Sequence, residues 1–219
     1  MKGPLDTSRP TEQNPLITVC SMKRTTLFLS LLFSTLFTLP VWAQEAAHLK
    51  FKGIPMDGPV TPFVQKLAKQ GLDVITQNQT GAILSGDFAG YSDCVIIVGS
   101  ADDDTSVSNV SVLFEWKDTW RQLHTNYLNL KNMLTEKYGV PYNCTEEFSG
   151  GEPDSDWLKM LQVEQDECRY VSRFAVEGGE IILGLSHIDW GLGERCHVML
   201  MYQDGQHAQA NHEKALDDL

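Results

Sequence analysis

Between Leu72 and Trp116 four segments carry strand periodicity, at 72–77, 82–88, 94–99 and 107–116, and the stretches between them are too short for a crossover helix. A parallel pair needs a connection of roughly a dozen residues or more, so these strands have to pair antiparallel. In the last of them Val110, Val112, Phe114 and Trp116 alternate with Asn109, Ser111 and Glu115. That pattern predicts one face packed on a core and one face polar. Two later strands, 169–176 and 180–188, are joined by Glu177-Gly178-Gly179, a hairpin signal, and a final strand covers 197–202.

Helices punctuate the strands. Thr61 as N-cap, Pro62 at the first helical position, an apolar face of Phe63, Val64, Leu67 and Ala68, and Gly71 as the stop predict a helix before the first strand group. Thr119 and Gln122 make a capping box for a longer one. There Trp120, Leu123, Tyr127, Leu130, Leu134 and Tyr138 recur every three or four residues, up to Gly139 and Pro141. A short helix is expected over 156–165. Helix then antiparallel strands, twice over, reads as an α+β fold with helices packed on one face of an antiparallel sheet. Its two coarse helix-plus-strands halves cover about 44–117 and 118–219.

The N-terminus reads as an address. Met22-Lys23-Arg24, an apolar run from Leu27 to Leu39, and Pro40-Val41-Trp42-Ala43 have the order of a secretory signal peptide over 22–43. Residues 1–21 lie upstream of it and are expected to be a non-native extension, with the mature α+β domain over 44–219. The apolar run is shorter than the ~20 residues a spanning helix needs, so no stable membrane span is expected after cleavage. The chain carries 17 Lys+Arg against 29 Asp+Glu, a net charge of -12, and removing residues 1–43 leaves 13 against 27, or -14. That balance argues against nucleic acid or an anionic membrane surface as partner, because both attract Lys and Arg.

Four cysteines come after the expected cut: Cys94, Cys144, Cys168 and Cys196. An even count in an exported chain suggests two disulfides, with three possible connectivities. The expected pairs are Cys144 with Cys168, which flank the short helix, and Cys94 with Cys196, which each open an apolar strand.

No catalytic pattern emerges, and no catalytic residue, metal or cofactor is assigned. Gly184-Leu185-Ser186-His187-Ile188 lacks the second glycine of a nucleophile elbow. Asp102-Asp103-Asp104 starts like a calcium loop, but Val107 and Leu113 occupy the places of its glycine and closing acid, so a solvated turn is expected. His207 and His212 are five apart in a polar tail and are expected to face solvent; His124 is expected to sit at the boundary of the long helix's apolar stripe. The most suggestive stretch is the loop carrying His187, Asp189, Trp190, Glu194 and Arg195, since loops on a rigid sheet host recognition and Trp and Arg dominate binding hot spots.

The segments HLKFKGIPMDG and LSGDFAGYSDC, the Trp120 to Pro141 helix pattern and the terminal ALDDL resemble a family of uncharacterised exported proteins of anaerobic gut bacteria. The architecture is similar to tandem helix-plus-sheet modules of the β-lactamase-inhibitor type, a likeness of fold that carries no function by itself. The expected function is a non-catalytic binding module, periplasmic or secreted, acting on a protein or cell-envelope component. The alternative is a small exported hydrolase pairing His187 with Asp189 or Glu194.

Overall fold

A computed structural model describes residues 47–101, 106–189, 194–209 and Leu216. The expected signal peptide, the Asp102 to Asp104 turn, Trp190 and His212 lie outside these residues. Contacts divide the chain into Met1–Ala43 and Gln44–Leu219, and everything described belongs to the second unit.

The elements run β1 (Lys50–Phe51), β2 (Ile54–Pro55), α1 (Val60–Lys69), β3 (Asp73–Gln77), β4 (Gly81–Phe88), β5 (Tyr91–Ser100), β6 (Val107–Leu113), α2 (Trp120–Tyr138), β7 (Asn143–Phe148), α3 (Asp156–Glu164), β8 (Cys168–Val176), β9 (Gly179–Asp189) and β10 (Glu194–Asp204). β1 and β2 form a small hairpin; the other eight strands make one antiparallel sheet in the order β3-β4-β5-β6-β10-β9-β8-β7. The last strands of the two helix-plus-strands halves therefore meet at the centre of an α+β fold.

Register sorts the side chains into rows across the sheet. One row, Leu84, Ile96, Val112, Leu200, Leu183 and Ser172, is buried throughout. Against that face α1 buries Val60, Phe63, Val64 and Leu67, and α2 buries Trp120, Leu123, Tyr127, Leu130 and Leu134, all in a single core cluster. Thr119 caps α2 by accepting from the Gln122 amide at 3.4 Å, and Gly139 ends it at a positive φ of 86°. The cap foreseen for α1 is corrected: Pro59, not Thr61, precedes the helix. Pro62 still falls in the first turn, where backbone N–H groups have no intrahelical acceptor to lose.

The expected disulfides are also corrected, since none of the four cysteines is bridged to another. Cys144 faces Ser172 while Cys168 faces Phe148, at opposite ends of the β7·β8 ladder. Four residues of strand separate them by about 13 Å, against about 4.4–6.8 Å between the Cα atoms of a bridge. Cys94 and Cys196 are kept apart by β6, which lies between β5 and β10. Burial pushes the Cys94 thiol up to about 11 and the Cys168 thiol up to about 12, which disfavours the thiolate at neutral pH.

Candidate binding groove

The opposite face of the sheet is half-buried, and its character changes along the sheet. The rows Ile83-Ile97-Ser111-Met201-Ile182-Arg173 and Ser85-Val95-Leu113-Met199-Gly184-Val171 are mainly apolar over β4, β5 and β6. At one end of these strands a groove of about 630 Å³ opens, floored by Ile83, Val95 and Leu113 and walled by Ile75, Trp116, Arg195 and His197. Ile75 is 62% exposed and Trp116 45%. Asp93 and Glu115 add the acidic part of the lining.

Trp116 reaches this face through a local slip in pairing. The Phe114 N–H donates to the Val198 carbonyl and the Lys117 N–H to the Cys196 carbonyl, both at 3.0 Å. Three residues on one strand are thus matched by two on the other, the geometry of a bulge, and one extra residue turns the subsequent side chains to the other face. Alternation places Trp116 with Phe114 in the core; the observed strand ends at Leu113, and Trp116 stands outside. There the Arg195 guanidinium lies 4.8 Å from the centre of the indole. Beyond this stack is a second cleft of about 320 Å³, bordered by Trp157, Met160 and Glu164. The Trp116–Arg195 pair forms the ridge between the two hollows.

His197 is the groove's buried polar group. It is 6% exposed, and its Nδ1–H donates to the Phe114 carbonyl at 2.9 Å. That bond fixes the tautomer and leaves Nε2 as an acceptor, which has no partner. Burial holds the imidazole below its ordinary value; the Phe114 carbonyl opposes this, and Arg195 adds to it. Nε2 is itself buried, so His197 serves as part of the groove's wall rather than as a group a ligand can reach.

Among the described residues singled out in the β9–β10 loop, His187, Asp189 and Arg195 divide between the two faces of the sheet. Arg195 joins the groove, whereas alternation along β9 sends His187 and Asp189 to the helix-covered side, where His187 Nε2 meets Asp166 Oδ1 at 3.3 Å on the surface. Glu194 is paired in register with Asp189. His124 lies as foreseen at the edge of the core, stacked on Trp120 with ring centres 5.1 Å apart. The groove residues Ile75, Ile83, Val95, Leu113 and His197 are absent from the sequence-based candidates. One signal did point to them: Cys94-Val-Ile-Ile-Val98 is apolar without interruption, as in a strand apolar on both faces.

Fold and site together define an α+β sheet with helices on one face and an apolar groove on the face that no described helix covers. No protein-family model, curated protein or solved structure matches the chain.

Proposed function

We propose that this protein is a non-catalytic binding module, acting after export in the periplasm or outside the cell, that takes an apolar group of a protein or cell-envelope component into the groove beside Trp116. The observation carrying this reading is the groove itself, whose apolar floor borders a Trp–Arg stack with Trp116 exposed. Aromatic and Arg anchors around an apolar depression are the anatomy of a binding hot spot. Export is supported by the order of basic, apolar and small residues over 22–43.

The test is capture of a partner from envelope and culture fractions by wild type, Trp116→Ala, Ile83→Asp and, as control, Arg173→Ser on the polar end of the same face. Recovery is expected to fall by roughly tenfold or more with the first two variants, the loss expected on truncating an anchor or burying an unpaired charge. The control should match wild type. Equal recovery by all four proteins contradicts the proposal.

A further inference from the structure

At the other end of β10, far along the strand from the groove, three potential ligands meet. Asp204 closes the strand with a side chain that is 0% exposed. Its Oδ1 accepts from the Leu49 amide at 2.7 Å. Its Oδ2 lies 2.9 Å from His207 Nδ1, 3.1 Å from His48 Nδ1 and 3.3 Å from the His207 amide. Three nitrogens crowd one carboxylate oxygen, and the three side-chain ligand atoms all lie within 4.8 Å of one another.

We propose that His48, Asp204 and His207 bind a divalent transition-metal ion, Zn²⁺ foremost. Two imidazole nitrogens and a carboxylate oxygen form a three-ligand zinc donor set, with water in the fourth place. Tetrahedral bonds of about 2.0–2.1 Å put neighbouring donors about 3.3 Å apart. The two nitrogen–oxygen spacings, 2.9 and 3.1 Å, need to open by a few tenths of an ångström, and the two imidazole nitrogens, within 4.8 Å of each other, to close around the ion. Calcium does not fit, because it asks for six to eight oxygens. With the ion bound, each imidazole holds its proton on Nε2 and offers the Nδ1 lone pair, so neither ring has to ionise. Space for the water exists on both sides, in a cleft of about 300 Å³ beside His48 and one of about 200 Å³ beside His207. The ion would tie the chain at His48 to the end of a central strand 156 residues later.

His207, foreseen as a solvent-facing tail residue, has a side chain only 15% exposed. It comes after β10 in a helical turn over 205–209 that swings the ring back over Asp204. His48 approaches from the other side, ahead of β1, and the two rings are tilted 48° to each other with centres 5.8 Å apart.

The purified protein is titrated with Zn²⁺ by calorimetry and with Co²⁺ by visible absorption. The proposal predicts one equivalent bound, a rise in Tm with Zn²⁺, and Co²⁺ d–d bands without thiolate charge transfer. His48→Gln and His207→Gln should each weaken binding by at least about tenfold, the loss that even outer-shell partners cause. Cys144→Ser should change nothing. His48→Gln retains the Leu49 bond to Asp204, and far-UV circular dichroism checks that its fold is intact. No binding at millimolar Zn²⁺, unchanged affinity in both His variants, or a thiolate band would each overturn the assignment.

Discussion

The two ends of the open sheet face solve the same problem differently. Over β8 and β9 the face carries, beside the apolar Ile182 and Val171, the Arg173–Glu180 ion pair of 2.9 Å, and the Tyr142 hydroxyl donates to the same carboxylate at 2.6 Å. Over β4, β5 and β6 the equivalent rows hold Ile83, Ile97, Val95 and Leu113, bordered by an exposed Ile75. The two ends share one sheet and one continuous core behind it, with α1 backing the strands of the apolar end and α2 and α3 those of the polar end. An apolar patch beside a polar one is the feature on which the proposed binding role rests.

If the helix-covered face carries stability and the apolar open end carries binding, adjacent residues of β5 should behave differently. Ile96→Ala, on the covered face and fully buried, is expected to cost about 2–5 kcal/mol, whereas Ile97→Ala, half-buried on the open face, should cost less than half as much. Urea denaturation of both variants measures this, and equal losses would break the distinction.

A smaller effect comes from the second half. Partial burial pushes the Glu146 carboxyl up, but hydrogen bonds from Lys131 and Tyr127 outweigh it and hold the carboxyl below its ordinary value. A carboxyl depressed in the folded state contributes stability that is fully present above its unfolded value of about 4.3 and is lost as pH falls through the folded one. Relative to Glu146→Gln, the wild-type urea midpoint should drop in that acid window and run parallel to it above pH 5 or so. A constant offset across the window would remove the carboxylate from the account.

The smallest effect belongs to the polar end. Replacing Arg173 by Met should change stability by about 0–1 kcal/mol, as for other partly exposed ion pairs. In exchange, an apolar side chain would extend the hydrophobic rows toward β8. Dye binding that increases in this variant, with little change in midpoint, would sharpen the contrast between the two ends.

Much of the architecture was legible because period and punctuation agreed. The Thr119 cap, the aromatic stripe of α2 and the Glu177-Gly178-Gly179 hairpin each appear where local chemistry puts them. β7 was not foreseen: Asn143-Cys-Thr-Glu-Glu-Phe148 is polar on both sides, as an edge strand can be, and leaves almost no alternation to read. Trp116 was misplaced because a bulge without glycine or proline leaves no local mark, yet it reverses the face of the residues after it. The His48–Asp204–His207 cluster joins His48 to a residue 156 positions later, so no spacing rule reaches it. Among the described loop residues Arg195 ends at the groove while His187 and Asp189 do not, because consecutive strand residues point to opposite faces.

The most direct test of the central claim is site-specific photocrosslinking, with a photoreactive side chain placed at Ile97 in one protein and at Val171 in another. Both positions are half-buried on the same open face, one at the apolar end and one toward the polar end. After exposure to envelope and culture fractions, a discrete adduct from position 97 that is absent from position 171 is the predicted result. Identical adducts from both positions, or none from position 97, would contradict it.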